Sequence, residues 1–178
     1  MYLVDTNVML AASAVQDLSD LAIRAMPQEI ELREVVYEWL SDFDQSDARI
    51  VLDEEGLVRA EYERNMPFNQ HHQEYGLQVL QSKLDRNLVE YVPIESLEAN
   101  GEHIAVLEPD HEALVTDRED RKWVACALAA QMLFDQMPPI VYGAESDWFI
   151  AEEQLIAIGL SFRRLLPNDW YNTRVATR

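Results

Sequence analysis

The residues Met1-Tyr-Leu-Val-Asp5-Thr-Asn-Val8 set an acid directly after a short apolar run and directly before Val8-Met-Leu-Ala-Ala-Ser-Ala-Val15, a stretch of helical character. The unit reads as strand, acid, helix. In open α/β sheets, ligands and chemistry collect at the C-terminal ends of the strands, so a carboxylate there is a candidate functional group. Asp5 or Asn7 serving only as the cap of the helix explains the same residues. The rest of the chain has to discriminate between the two.

Strand-like and helical runs alternate along the sequence, which points to βαβ units and a mostly parallel sheet. The expected strands are Tyr2–Asp5, Arg49–Leu52, Leu88–Val92 and Ile140–Tyr142, with Ser161–Leu166 at an edge. The expected helices are Val8–Met26, Glu31–Phe43, Glu54–Asn65 capped by Asp53, Gln70–Leu84, Asp117–Leu133 and Trp148–Gly159. In the second of these, Leu32, Val35, Val36, Trp39 and Leu40 recur at helical spacing. Ile94–Val115 reads as irregular with short helical pieces. The expected class is α/β, a three-layer α/β/α sandwich around a mostly parallel sheet of four or five strands, with Tyr2–Asp5 inside. A chain of 178 residues is expected to form one domain, with 27–49 as a helical extension and 168–178 as a tail.

Composition narrows the class. A hydrophobic fraction of 48% with 9% aromatics excludes a disordered chain. No apolar run approaches the roughly 18–20 residues needed to cross a bilayer, and no basic segment precedes the first strand, so a cytoplasmic protein without a membrane partner is expected. Cys126 is the single cysteine and lies in an apolar helical run, so it reads as a buried, inert thiol. Fourteen Lys and Arg against 33 Asp and Glu give a formal net charge of −19. These acids are dispersed along the chain, which suits solvated helix faces and resists nonspecific binding of nucleic acid. Divalent ions can still neutralise a local acidic cluster.

Candidate acids fall at element junctions. Asp5 ends the first strand; Glu61 lies in Leu57-Val-Arg-Ala-Glu61-Tyr; Asp120 opens Asp120-Arg-Lys-Trp-Val-Ala-Cys-Ala-Leu128; Glu145 and Asp147 follow the strand Ile140–Tyr142. In a parallel sheet, acids after the first and fourth strands share one edge. Converging carboxylates repel, and they stay ionised together only beside a cation. Oxygen ligands alone favour Mg²⁺ or Mn²⁺ over zinc, and no His or Cys pair has zinc spacing. His71 and His72 are adjacent and read as surface residues. Hard cations at such a site polarise a phosphoryl oxygen and activate water, the chemistry of phosphodiester hydrolysis. Each acid also has a plainer reading: Asp120 or Asp117 as a helix cap, Glu61 as a solvated acid, Asp147 as a turn residue. Trp39, Trp123 and Trp148 read as core.

Three stretches together resemble a PIN domain, the metal-dependent nuclease fold of VapC-type toxins and many RNA-processing proteins. They are Tyr2-Leu-Val-Asp5-Thr-Asn-Val8, Asp120-Arg-Lys-Trp-Val-Ala-Cys-Ala-Leu128 and Ile140-Val-Tyr-Gly-Ala-Glu145-Ser-Asp147-Trp148. The resemblance implies that Asp5 is the first metal ligand, Asp120 the third, and Glu145, Asp147 or both the fourth. For the second acid it implies Glu61, with Glu55 and Glu63 as rivals, and it gives Thr6 or Asn7 the role of orienting carboxylates and water. Arg118, Arg121 and Lys122 form a local basic cluster that suits a phosphate backbone or pairs with nearby acids. The implied cofactor is Mg²⁺ or Mn²⁺. The implied partners are an RNA substrate and an antitoxin or other protein, with a homodimer left open. Gly143 and Ala144 stand where the family often has a hydroxyl, Glu145 where Asp is commoner, and Pro27–Arg49 lengthens the first half. These departures bear on the toxin assignment more than on the fold.

Other strand–Asp families fit less well. A dehalogenase-like phosphatase needs an acid two residues after the first, and Asn7 stands there. A receiver domain needs an acidic pair before Asp5. A dinucleotide-binding turn needs clustered glycines, and Gly56 is the first glycine. The competing expectation is a PIN-like fold without activity, acting as a protein-interaction module.

Overall fold

The β-branched and aliphatic runs pair as parallel strands in a computed structural model that describes residues 1–16, 19–68, 73–99 and 101–176. Strand β1 (Leu3–Val4) pairs with β6 (Ile140–Tyr142), in register Leu3 to Ile140, and β6 pairs with β7 (Phe162–Arg164). Strand β2 (Ile50–Asp53) pairs with β3 (Val89–Val92). Tyr2 joins the two groups: its amide donates to Arg49 O at 2.8 Å, and Val51 N donates to its carbonyl at 2.9 Å. The strands therefore line up as β3–β2–β1–β6–β7, all parallel, with β1 in the middle and β7 at the edge. Every residue of β1, β2 and β6 is buried. Successive side chains of a strand point to opposite faces, so both faces of the sheet are covered there.

The covering elements are helical. Helix α6 (Arg121–Phe134) packs on β1, β2, β3 and β6. Helix α1 (Thr6–Ser13) packs on β6 and meets α2 (Ile30–Gln45), α3 (Leu57–Asn65) and α4 (Tyr75–Asp85). Gly76 makes the α1–α4 approach possible: a Cβ there would lie 2.7 Å from Met9 Cβ. Its amide donates to Ser13 Oγ at 2.8 Å, tying the end of α1 to the start of α4. Helix α2 is a core element, with Val36, Leu40 and Phe43 buried. Trp123 and Trp148 are buried as expected, Trp39 stacks on Phe43, and Cys126 is buried with its thiol pKa pushed well up by desolvation. Among the described residues no helix is long and apolar enough to cross a membrane.

Several expected elements are corrected. The first helix ends at Ser13, not Met26; Ser13 Oγ donates back to Met9 O at 2.8 Å, and Ser19 caps a separate 3₁₀ turn at Asp20–Ile23. Asp53 caps α3 as expected, accepting from Leu57 N at 2.7 Å and Val58 N at 2.8 Å, but across a left-handed turn at Gly56, so the helix starts at Leu57 and not at Glu54. Helix α6 starts at Arg121, because Asp117 Oδ1 accepts from Glu119 N at 2.9 Å and holds 117–120 in a turn. The stretch expected to be irregular contains an antiparallel hairpin, β4 (Ser96–Ala99) and β5 (Glu102–Ala105), before a short helix α5 (Pro109–Glu112). Its four-residue strands alternate too weakly to be read from the sequence. The helix expected from Gln70 begins at Tyr75, and its first residues, with His71 and His72, lie outside the described residues. Helix α7 (Ser146–Ala157) follows β6. The tail forms α8 (Asn168–Val175), which buries Trp170 and Tyr171.

A buried lysine holds the α2–β2 connection. Lys83 is fully buried, and its ammonium donates to the carbonyls of Phe43 (2.5 Å), Ser46 (2.8 Å) and Ala48 (2.9 Å). It also lies 4.1 Å from the centre of the Phe43 ring. Lys83→Met keeps the alkyl stem but leaves these carbonyls without their donor, an expected loss of about 2–4 kcal/mol. Urea unfolding checks this; an unchanged midpoint would show that the ammonium is dispensable.

Candidate active site

Asp5 is buried at the C-terminal end of the central strand, and both of its carboxylate oxygens are engaged. Oδ1 accepts from Asn7 N at 2.8 Å, which caps α1. Oδ2 accepts from the indole Nε1 of Trp148 at 2.7 Å. The cap reading of Asp5 thus holds, and it leaves the second oxygen to reach α7. Burial pushes the Asp5 carboxyl up to about 7; the two N–H donors oppose this, while Glu145 and Glu61 add to it.

Asp120 stands at the N-cap position of α6, yet its side chain makes no capping hydrogen bond there. The turn is closed by Asp117 instead, so the Asp120 carboxylate is not absorbed by a cap. Burial pushes it up to about 9, and the charges of Asp5, Asp117 and Glu145 push the same way, against Lys122. Glu145 caps α7, accepting from Asp147 N at 3.1 Å, and Asp147 lies in the first turn, where the helix dipole favours a negative charge. A hollow of about 20 Å³ is lined by Asp117, Asp120, Asp147 and Trp148. That is room for one water molecule or one ion.

Glu61 is the inward acid of its helix. Glu55 accepts from Ser96 Oγ at 2.6 Å and Glu63 pairs with Arg59 at 2.8 Å, both on the exposed surface. Glu61 instead accepts from Thr6 Oγ1 with one oxygen and from Lys122 Nζ with the other. Lys122 also donates to Glu119 O. Arg121 pairs with Glu112 at 2.8 Å, while Arg118 stands exposed. Both Lys122 and Arg118 border a cleft of about 330 Å³ between α3 and the β4–β5 hairpin, lined also by Leu57, Ala60 and Ile104.

Asn7 ties the first motif to the third. Its Oδ1 accepts from Gly143 N at 3.0 Å, and a Cβ on Gly143 would lie 3.3 Å from that oxygen, so the glycine leaves room for the amide. Tyr171 of α8 donates to Gly143 O at 2.5 Å, bringing the tail onto the same loop. Three contacts went unread in the sequence: the Trp148–Asp5 bond, the Lys122–Glu61 pair and the Tyr171 clamp. The first two lie inside motifs that were singled out; in the sequence Trp148 reads as core, and Lys122 as meeting a phosphate backbone or pairing with nearby acids, without a named partner.

The donor set suits a hard divalent cation by its chemistry, since it consists of carboxylates in one another's field. Asp5, Asp120 and Glu145 fit that description, and Asp147 lines the same hollow as Asp120. Glu61 is set apart, because an ammonium already pairs with one of its oxygens and a divalent ion there would have to displace it. Among the described residues no three His, Cys, Asp or Glu side chains are set to hold a metal ion as they stand.

Both Asp5 and Asp120 have pKa values raised above the unfolded value of 3.8, to about 7 and about 9. The stability they contribute is fully present below the unfolded value and is lost as pH rises through each folded value. With a chelator present, the melting temperature is expected to fall between pH 5 and pH 9, and less steeply in Asp120→Asn. Parallel slopes for the two proteins would show that Asp120 is not destabilised by its surroundings.

No protein-family model matches the chain, and comparison with curated proteins and with solved structures likewise returns no match.

Proposed function

We propose that this chain is a metal-dependent endonuclease of PIN type that hydrolyses phosphodiester bonds in single-stranded RNA. The observation that carries the reading is the placement of buried Asp5 at the C-terminal end of β1 with Asp120, at the start of α6, and Glu145, which follows β6, close enough for Asp5 and Glu145 to raise the Asp120 carboxyl and for Glu145 to raise that of Asp5. Carboxylates gathered where strands end, with raised pKa values, mark functional sites more often than structural ones. The parallel sheet with β1 inside and both faces covered supports the three-layer α/β/α sandwich of that family.

A bound Mg²⁺ or Mn²⁺ would supply Lewis-acid polarisation of the phosphoryl group and an activated water. Asp5, Asp120, Glu145 and Asp147 are the residues that would hold it. The N–H groups of Asn7 and Trp148 fix the Asp5 carboxylate in place, so its orientation does not depend on the substrate. Asn7 keeps the Gly143 loop, and with it Glu145, against the start of α1. The adjoining cleft has apolar side chains, Leu57 and Ile104, that suit an unstacked base, and exposed Arg118 in its lining suits a phosphate. A splayed single strand enters such a cleft more easily than a duplex. The net charge of −19 implies weak intrinsic affinity for RNA, which fits a cytoplasmic enzyme that relies on a docking protein, a structured target or an antitoxin-type partner for control.

A second reading, an inactive interaction module, is favoured by consecutive exposed apolar residues at the end of α6, Met132 at 87%, Leu133 at 54% and Phe134 at 38% exposure. Purified full-length chain with Mn²⁺ is expected to cleave single-stranded RNA faster than duplex, with turnover falling as salt rises. Asp5→Asn keeps the shape and removes the charge, and should lower cleavage by at least about a hundredfold while circular dichroism stays unchanged. Absence of Mn²⁺-dependent cleavage, or full activity in Asp5→Asn, would hand the assignment to the interaction module.

A further inference from the structure

The acid that the PIN resemblance makes a second metal ligand already has a cation beside it. Lys122 and Glu61 form an ion pair with side chains only 9% and 12% exposed. Thr6 occupies the other Glu61 oxygen, and Glu119 O takes a second N–H of Lys122. Lys122 Nζ also lies 5.8 Å from the centre of the Trp123 ring. An ammonium carries three N–H donors and no acceptor, so two are committed and one remains. Lys122 lines the 330 Å³ cleft.

A divalent ion at Glu61 would have to break this pair and leave a buried ammonium beside a dication, an arrangement that is repulsive and undersatisfied. The ammonium instead supplies a positive charge where a second metal would have supplied one. We propose that Lys122 is a built-in cation that takes the place of a second metal ion. The site then binds one divalent ion through the Asp5–Asp120 side, Glu61 is not a metal ligand, and Lys122 directs its remaining N–H to a phosphate oxygen of the substrate. This rests on the nuclease reading and specifies how its site is charged.

The test is to count Mn²⁺ on the full chain by titration calorimetry and by the electron-paramagnetic signal of free Mn²⁺. Wild type is expected to bind one ion, and Asp5→Asn none. Glu61→Gln should leave the affinity within about twofold, whereas loss of a true ligand or of its immediate support costs roughly 10–100-fold. Lys122→Met frees Glu61 and should admit a second ion; Lys122→Arg keeps the charge and should bind one; Lys122→Met with Glu61→Gln should return to one. Two ions on wild type, a large affinity loss in Glu61→Gln, or a single ion on folded Lys122→Met would overturn the inference while leaving the nuclease reading intact. No ion on wild type would remove the nuclease reading and this inference with it. If Lys122→Met fails to fold, the ion count on wild type and on Lys122→Arg still decides, because two ions on either would overturn the inference.

Discussion

Asp5 is held out of water at the end of the central strand by two N–H donors from different elements, the Asn7 amide of α1 and the Trp148 indole of α7. One side chain therefore sets where α1 begins and how close α7 comes to β1. Tyr62 of α3 donates to Val4 O just before it, so a third helix is tied to the same strand end. Removing a carboxylate from water is costly, and two neutral donors compensate only in part, which is why Asp5 keeps a pKa of about 7. The strain in charge is left in place at the one point where the sheet, α1, α3 and α7 meet.

The chain manages its charge in a divided way. Most of the acids are exposed, on helices, turns and the β4–β5 hairpin alike, where water screens them. The cations that go inside serve backbone carbonyls or a single buried acid. Lys83 holds the carbonyls of Phe43, Ser46 and Ala48; Arg33 holds those of Pro27, Ala22 and Ala25 at 2.5, 3.0 and 2.7 Å. Both serve segments that enter or leave α2, so the helix that looked like an extension is fastened at both ends. Lys122 is the third such cation, and it is the one spent on a carboxylate. Around Asp5 and Asp120, burial and neighbouring carboxylates raise both carboxyl groups, beside the small hollow that Asp120, Asp147 and Trp148 line.

Placement of the 330 Å³ cleft follows from the hairpin. Strand β5 contacts α6, and Gly101 lies between β4 and β5 at a φ of 82°, a conformation that suits a residue without a side chain. The wall they form stands opposite α3, and Glu61, Lys122 and Arg118 line the cleft. A four-stranded or five-stranded sheet alone would not produce this cleft.

Much of the architecture was legible from local chemistry. Apolar runs such as Ile50–Leu52, between Arg49 and Asp53, and Ile140–Tyr142, between Pro139 and Gly143, are short and uninterrupted, so they declare buried parallel strands whatever surrounds them. The junction acids were legible for the same reason: an ionisable residue directly after such a run has to be capped, paired or put to use. Element ends were less so, because Ser13 and Asp117 stop or delay helices through hydrogen bonds whose strength over the helical alternative depends on neighbours distant in sequence. Only the tertiary structure decided which acid of Glu55, Glu61 and Glu63 turns inward, that Trp148 donates to Asp5, and that Lys122 belongs to Glu61. Helical spacing assigns residues to faces, but what each face meets is settled by packing between elements 55 to 143 residues apart.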